Sequence, residues 1–226
     1  MGNFAIYLLF TKEFKLSFTG FEYAYFILAF PFFLMEFTGL LQSKADLICV
    51  TFFLSKERIA QYQVYINFLL LLQSSAGFIL APYLKNIYRL KKDSIRKLSV
   101  KLLSFGIALA AISTYFISVF IRYFYHFSIP TVTLLLGAFF IIPIFYYITI
   151  VYQLLKINRQ KIVLFINIAG TIISFILNII LIPHSSDGIS GAILAITITQ
   201  WLLLLMYWSI SNFLSKTQEA VKTTAM

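Results

Sequence analysis

The sequence predicts an all-α membrane protein whose helices cross a bilayer several times. Of its 226 residues, 61% are hydrophobic and only 12% are charged, and the mean hydropathy is +0.90. A soluble domain carries about twice that share of charge. Several stretches run for about 20 residues with few or no charges, the length that a helix needs to cross about 30 Å of hydrocarbon. The composition therefore excludes an ordinary soluble domain.

Six apolar segments, A to F, divide the chain. Segment A is too long for one straight span, because about 32 residues of helix reach about 48 Å. We therefore expect a kink at Pro31 or ends that project beyond the lipid. Residues 1–20 are interpreted as the end of a preceding helix with a basic linker, residues 21–213 as a six-helix bundle and residues 214–226 as a cytoplasmic tail. The segments run from Tyr23 to about Leu54 (A), Tyr62 to Tyr83 (B), Leu98 to Ile121 (C), Ile129 to Leu155 (D), Ile162 to Ile182 (E) and Ile189 to Ser211 (F).

Basic residues alternate along the chain in a way that orients the bundle, since positively charged loops are retained on the cytoplasmic side. One set of loops holds most of them, with concentrations from Lys85 to Lys101 and from Lys156 to Lys161. Both termini are therefore predicted to be cytoplasmic, with six spans between them. This topology and the attraction of anionic lipid headgroups explain the net charge of +10, and we expect no nucleic-acid partner. Of the 18 Lys and Arg residues, the opposite set of loops holds only Lys44, Lys56, Arg58 and Arg122.

Segment E carries a stripe of polar side chains. Spacings of 4, 3 and 4 residues place them on one face of a helix that is otherwise nearly all Ile, Leu and Phe. Polar groups at membrane depth are expensive, so the stripe needs a wet or polar neighbour. Two interpretations stay open: the stripe joins helices through hydrogen bonds, or it lines a transport cavity. Its members are Asn167, Thr171, Ser174 and Asn178.

Three charged residues of segment A are further candidates for a transport cavity or substrate site. Glu36 lies roughly mid-span among aromatic and aliphatic residues, where a carboxylate must be neutralised, paired or hydrated. The alternative is that Glu36 lies at a kink and reaches an interface. Lys44 and Asp46 are two positions apart, hence on different sides of one helix, so each needs its own partner. Lys44 suits either a bound phosphate or a position close to the outer interface.

The tyrosines of segment D also have two interpretations. Tyr146, Tyr147 and Tyr152, with Gln153, are able to stack on sugar rings. Tyrosines near the ends of membrane helices more often form an aromatic belt at the lipid interface, and we favour that interpretation.

Two stretches resemble the multidrug/oligosaccharidyl-lipid/polysaccharide flippase superfamily. The first is NIAGTIISFILNIILIPHSSDGISGAILAITITQW, from Asn167 to Trp201, where an Asn-rich helix ends in Ile-Pro and a Gly-x-x-Gly-Ala turn. Gly188, Gly191 and Ala192 occupy the turn positions. The second is FPFFLMEFTGLLQSKADLICVTFFLSKERIAQY, from Phe30 to Tyr62, which is similar to the proline helix that opens each half of the family and places Asp46 and Tyr62 at matching positions.

A third stretch, VYQLLKINRQKIVLFIN, resembles the family's link between the fourth and fifth helices of a half. The resemblance covers residues from about Tyr23 to Ser211 and is closest to the polysaccharide branch, the Wzx-type O-antigen and capsule flippases. Members have two six-helix halves, so the resemblance identifies the chain as a C-terminal half.

The resemblance implies that the protein flips a polyprenyl-pyrophosphate-linked oligosaccharide across the bacterial cytoplasmic membrane by alternating access. Its expected partners are membrane lipids, the lipid-linked oligosaccharide, and an N-terminal half or a second copy of the chain. Coupling to a proton or ion gradient through Glu36 or Asp46 is expected. We also expect that a single half leaves the segment E stripe facing lipid unless another six-helix unit covers it.

No enzyme signature is evident, and no cofactor is expected. His126 and His184 are isolated and lack the spacing of a metal pair, and Cys49 is the only cysteine. The sequence has neither a Gly-rich phosphate loop nor a nucleophile elbow. Two alternatives to a flippase remain: an inactive remnant or membrane scaffold, and a glycan polymerase or ligase. The short outer loops speak against the second.

The basic asymmetry makes the topology testable. We expect cysteines placed in the Lys85 to Lys101 region to be labelled from the cytoplasmic side only, because their positive charge is retained there. Cysteines placed beside Arg58 or Arg122 should be labelled from the opposite side. Labelling of the Lys85 region from outside the cell would overturn the orientation.

Overall fold

The computed structural model describes the backbone of residues 23–90 and 92–224 and most side chains from Phe26 to Phe213. The predicted linker in residues 1–20 lies outside the described residues. The side chains outside the description within that range are those of Leu28, Pro31, Glu36, Ser43 and residues 91–93.

Six long helices form the described part of the chain, which contains no strand. The predicted all-α, polytopic bundle is confirmed. Helix α1 is continuous across Pro31. Five helical stretches between Lys56 and Phe213 are each long and apolar enough to cross a membrane. The helices are α1 (Tyr23–Phe53), α2 (Lys56–Leu80), α3 (Lys92–Phe120), α4 (Thr131–Lys156), α5 (Gln160–His184) and α6 (Ile189–Thr224).

Short helical turns extend two of these helices. A 3₁₀ turn over Ala81–Tyr83 and a helical turn over Leu84–Ile87 follow α2, and a π-helical turn over Ile121–Tyr125 ends α3. His126 then adopts a left-handed conformation with φ 56°, which stops the helix. Helix α6 continues to Thr224, well into the predicted tail.

The helices pack so that five of them surround the interior. Helix α1 packs mainly along α5, α5 against α6, and α6 against α4. Helix α4 also contacts α2 and α3, which places α3 on the flank of the bundle. Helices α1 and α2 are consecutive in the chain but share only limited contact. The ring around the interior is therefore formed by α1, α5, α6, α4 and α2.

Apolar side chains cover the outside of this bundle. Phe78, Phe165 and Phe213 expose 71%, 73% and 71% of their surface. Buried positions, in contrast, include Asp46 and Asn178. An apolar exterior around buried polar groups suits a bundle whose outer surface is solvated by lipid chains.

The connections gather at two ends of the bundle. The Arg58 end holds residues 54–55, 126–130 and 185–188, and there Arg58 Nη1 donates to the carbonyl of Asp187 at 2.9 Å. The Lys85 end holds residues 81–90 and 157–159, and there Lys156 Nζ donates to the carbonyl of Leu90 at 3.3 Å. The two basic concentrations of the sequence thus lie at the same end, as the alternation predicts.

The turn between α5 and α6 depends on two glycines. Gly188 has φ +69°, a left-handed conformation that glycine adopts without strain. A Cβ on Gly191 would collide with the carbonyl oxygen of Leu181 and lie 2.8 Å from its carbonyl carbon. The turn is closed by Asp187, whose Oδ1 accepts from the Ser190 N–H at 2.8 Å at the start of α6.

Gly191→Ala should therefore destabilise the bundle. The collision involves backbone atoms, so α5 and α6 must separate, and we expect the free energy of unfolding in detergent to fall by about 1–3 kcal/mol. Gly77→Ala is the matched control, because a Cβ at Gly77 in α2 would have no atom within 4 Å apart from its chain neighbours and the nearby backbone of its own helix. That variant should be neutral or gain up to about 1 kcal/mol. Equal stability of the two variants would contradict the close approach of α5 and α6.

Candidate functional site

A cavity of about 320 Å³ lies inside the ring of helices, and all five helices of the ring contribute to its wall. Its apolar lining includes Leu70, Phe140 and Ile196. The volume is at the lower end of the range for small-molecule sites, about 300–1,000 Å³. Polar side chains also line it: Gln42, Asp46, Gln73, Tyr147, Asn167, Ser174, Thr199, Gln200 and Tyr207.

Asp46 is the one acidic side chain among the described residues that line this cavity, and 3% of its surface is exposed. The hydroxyl of Tyr62, which is completely buried in α2, donates a hydrogen bond to Asp46 Oδ2. Asp46 Oδ1 has no partner among the described residues. A buried carboxylate oxygen without a partner is costly, so a proton, a cation or a hydrogen-bond donor in the cavity would stabilise it.

Gln73 supplies the complementary group from α2. It is 8% exposed, and its Nε2 donor has no partner in the described part of the chain. Leaving a buried donor unsatisfied costs about 1–3 kcal/mol. The cavity thus holds an acceptor on α1 and a donor on α2 that no described residue pairs.

Tyr147 and Tyr207 line the part of the cavity towards the Lys85 end and hold two amide side chains there by hydrogen bonds. The hydroxyl of Tyr147 donates to Gln200 Oε1 at 2.8 Å, and that of Tyr207 donates to Asn167 Oδ1 at 2.9 Å. Their rings stack with centroids 5.2 Å apart and planes 17° apart. Because the amide oxygens accept from tyrosine, the amide nitrogens of Asn167 and Gln200 are left to donate to a polar ligand or to water.

The polar stripe of α5 faces the bundle interior along its whole length. Asn167 and Ser174 line the cavity. Thr171 bonds to the carbonyl of Asn167 at 2.9 Å and reaches the carbonyl of Thr38 in α1 at 3.5 Å. Asn178 Nδ2 donates to the Ser174 carbonyl at 2.8 Å, while its Oδ1 has no partner among the described residues. The stripe therefore lines a cavity through Asn167 and Ser174 and joins helices through the bonds of Thr171 to α1 and of Asn167 to Tyr207 in α6.

The expectation that a single half would leave this stripe facing lipid is wrong. Thr171, Ser174 and Asn178 are 8%, 1% and 0% exposed within the chain itself. The neighbouring helices α1 and α6 cover this face, because α5 packs extensively against both. Burial of the stripe therefore requires no second six-helix unit.

The structure separates the three charged candidates of segment A. Asp46 lines the cavity, whereas Lys44 is exposed and is not part of the cavity wall. The prediction that these two side chains lie on different sides of one helix is confirmed. The side chain of Glu36 lies outside the described residues.

Sequence reasoning missed several members of the cavity. The interpretation of Tyr147 as part of an interfacial belt is wrong, since it lines the cavity and bonds to Gln200. Gln73 follows a run of leucines in the middle of α2. The argument that a polar side chain at membrane depth marks a functional site, which was applied to Glu36, would also have identified Gln73. Gln42, Thr199 and Tyr207 carry no comparable signal.

No group of three or more His, Cys, Asp or Glu side chains able to hold a metal ion occurs among the described residues. Comparisons with protein-family models, with curated proteins and with solved structures found no match. The flippase resemblance therefore remains a prediction that rests on the quoted motifs.

Removing the Tyr62 hydroxyl tests the pairing that holds Asp46. Tyr62→Phe leaves both carboxylate oxygens unpaired, and we expect the free energy of unfolding to fall by about 1–3 kcal/mol. Tyr115→Phe is the matched control, because Tyr115 is 70% exposed. A double-mutant cycle with Asp46→Ala should give a coupling energy of about 0.5–3 kcal/mol. A coupling energy near zero would show that the two side chains do not depend on each other.

Proposed function

We propose that this chain is one six-helix unit of a transporter that flips a polyprenyl-pyrophosphate-linked oligosaccharide across the bacterial cytoplasmic membrane for polysaccharide biosynthesis. The observation that carries the proposal is the interior cavity inside a bundle with an apolar exterior. There Asp46 and Gln73 each present a polar atom that has no partner in the described part of the chain. Polar groups retained at membrane depth typically mark a transport pathway.

The cavity volume favours one part of the proposed transport cycle for this site. A space of about 320 Å³ is too small to enclose an oligosaccharide. In this proposal the glycan passes through a cleft between two six-helix units, while its polyprenyl tail stays in the lipid. The interior cavity then serves coupling, with Asp46 as the group that binds a proton or a cation.

The bond between Asp46 and Tyr62 gives this coupling a physical form. It joins α1 to α2, which otherwise have limited contact. A proton or cation that binds the carboxylate of Asp46 competes there with the hydroxyl of Tyr62. Such a ligand binds one arrangement of α1 and α2 better than another. This difference in affinity shifts the equilibrium towards the arrangement that binds it better.

Lys44 has a separate role in the proposal. It is exposed two residues before Asp46 on the opposite side of α1. An ammonium group on that outer surface suits the pyrophosphate of a substrate that passes between two units. The second unit is an N-terminal half or another copy of this chain, because a rocking cycle needs two opposed surfaces.

Transport by reconstituted protein tests the proposal. Proteoliposomes holding the chain with a second unit should flip a fluorescent lipid-linked oligosaccharide, and Asp46→Asn or Gln73→Leu should slow flipping about tenfold or more, since hydrogen bonds to charged groups contribute about 1.5–3 kcal/mol. Gln63→Leu is the matched control, because Gln63 is exposed on the same helix.

Two outcomes would count against the proposal. Wild-type rates in both cavity variants would remove the coupling role of the cavity. Flipping by a purified monomer, with crosslinking that shows no second unit, would disprove the need for two units. Absence of flipping with every second unit tried would favour a membrane scaffold.

A further inference from the structure

Helix α2 has one exposed face that no other described helix covers. The opposite face packs on α4, where Tyr65 bonds to the carbonyl of Thr133 at 3.0 Å. The exposed positions beyond residue 59 recur at spacings of 3 and 4 residues, as one side of a helix requires. We call this surface the outer face of α2, and it consists of Ala60, Gln63, Asn67, Leu71, Ser74 and Phe78.

Asn67 places an amide on this face at membrane depth. It lies nine residues beyond Arg58, about 13 Å along the helix axis. No charged residue occurs between Arg58 and Lys85, and the middle of that stretch falls near Leu71. Asn67 is therefore about 6 Å from the middle, well inside a hydrocarbon core of ~30 Å.

The amide of Asn67 has no hydrogen-bond partner among the described residues. Ser74 on the same face pairs within its own helix, because its hydroxyl donates to the Leu70 carbonyl at 2.8 Å. Gln63 lies one turn nearer to Arg58, and its longer side chain points towards that end, since side chains tilt towards the N-terminus of a helix. It therefore reaches the interface. Asn67 has neither outlet, and lipid chains offer it no hydrogen bond.

The outer surface of α5 shows what contact with lipid requires. Its exposed positions between Phe165 and Ile180 are all phenylalanine or isoleucine. Asn67 departs from that pattern, so its face needs a neighbour other than lipid chains.

The composition of the outer face favours a protein helix over water as that neighbour. Leu71 and Phe78 are 63% and 71% exposed, and both would be unfavourable next to water. Apolar side chains around one amide suit a helix contact within the membrane, where amides bond from one helix to the next. Ala60 and Ser74 lie seven residues to either side of Asn67, and their small side chains let a second helix approach closely.

Symmetry favours a second copy of this chain as the source of that helix. Two copies inserted with the same topology run parallel, and a two-fold axis along the membrane normal brings each residue near the axis against the same residue of the other copy. An amide holds both a donor and an acceptor, so two copies of Asn67 satisfy each other reciprocally. A charged residue would instead meet its own charge. A lone Asn in a seven-residue repeat fixes the register of such helix pairs.

We infer that the outer face of α2 is the interface of a parallel dimer of this chain, in which the amide of Asn67 bonds to that of Asn67 in the second copy. The inference goes beyond the proposed transport function, which allows either an N-terminal half or another copy as the second unit. It does not depend on transport.

Cysteine crosslinking in liposomes tests the interface. In the full chain with Cys49→Ala, Ala60→Cys and Ser74→Cys flank Asn67 without replacing it. Oxidation should link each of them into a disulfide-bonded dimer. Ile112→Cys on α3 and Ile176→Cys on α5 are the matched controls, because both positions are exposed on other helices, and they should stay monomeric.

Energy transfer between labelled copies, diluted stepwise in liposomes, measures the role of the amide. Asn67→Leu should weaken dimerisation about tenfold, the effect of one amide contact between membrane helices. Asn67→Gln keeps an amide and should retain part of the affinity. Gln63→Leu is the matched control and should dimerise like the wild type. Because Asn67 bonds to no described residue of its own bundle, the melting temperature of the Asn67→Leu monomer in detergent should be unchanged.

The inference fails in any of three cases. Equal crosslinking at the outer face and at the control positions would show random collision. Wild-type dimerisation of Asn67→Leu would remove the amide as the contact. Efficient labelling of Ser74→Cys by a water-soluble maleimide, without disulfide formation, would show that the face lines a water-filled cleft.

Discussion

The hydrogen bond between Tyr62 and Asp46 is the contact on which the interior of this protein depends. Helices α1 and α2 follow each other in the chain, yet α1 packs mainly on α5 and α2 mainly on α4. The bond is the one side-chain hydrogen bond between α1 and α2 in the described part of the chain. It therefore links the two helices that complete the ring of α5, α6 and α4, and both helices contribute residues to the wall of the cavity.

The membrane imposes the second constraint, because a helix surrounded by lipid must direct its polar side chains inward. Helix α5 shows the division clearly. Phe165, Ile172 and Ile176 are exposed, whereas Ser174 and Asn178 are buried. The inward groups are not all paired, since Asn178 Oδ1 has no partner among the described residues. Two residues that line the cavity, Asp46 and Gln73, also carry a buried polar atom without a partner among the described residues. Such atoms are unfavourable in a dry interior, so the cavity is best understood as a hydrated or ligand-binding space.

Sequence periodicity predicted which side chains share one face of a helix better than it predicted which other helices pack against that face. The spacing of Asn167, Thr171, Ser174 and Asn178 correctly placed them on one face, because that face follows from the geometry of a single helix. The same spacing does not say which helix covers the face, and for that reason the expectation that the stripe of a single half would face lipid was wrong. The partners of Thr171 in α1 and of Asn167 in α6 are set by packing over 133 and 40 residues of sequence separation.

Helix boundaries show a related limit. Segment B was predicted to begin at Tyr62, whereas α2 begins at Lys56. Hydropathy marks the apolar part of a helix, but Lys56, Glu57 and Arg58 are polar residues that also favour helix, so the first turns extend beyond the apolar stretch. The start at Lys56 matters for the site, since it places Tyr62 within a regular helix where it can meet Asp46 across the short connection at residues 54–55.

The position of α1 connects the interior of the unit to its surface. Lys44 and Asp46 are two residues apart, one exposed and one lining the cavity, because successive side chains of a helix point in different directions. In the proposed cycle, a ligand that binds Asp46 breaks its hydrogen bond to Tyr62 and so weakens the contact between α1 and α2. Any rotation or tilt of α1 that follows also moves Lys44. A change in the small interior cavity is thereby carried to the outer surface of the same helix, where a substrate too large for the cavity would bind.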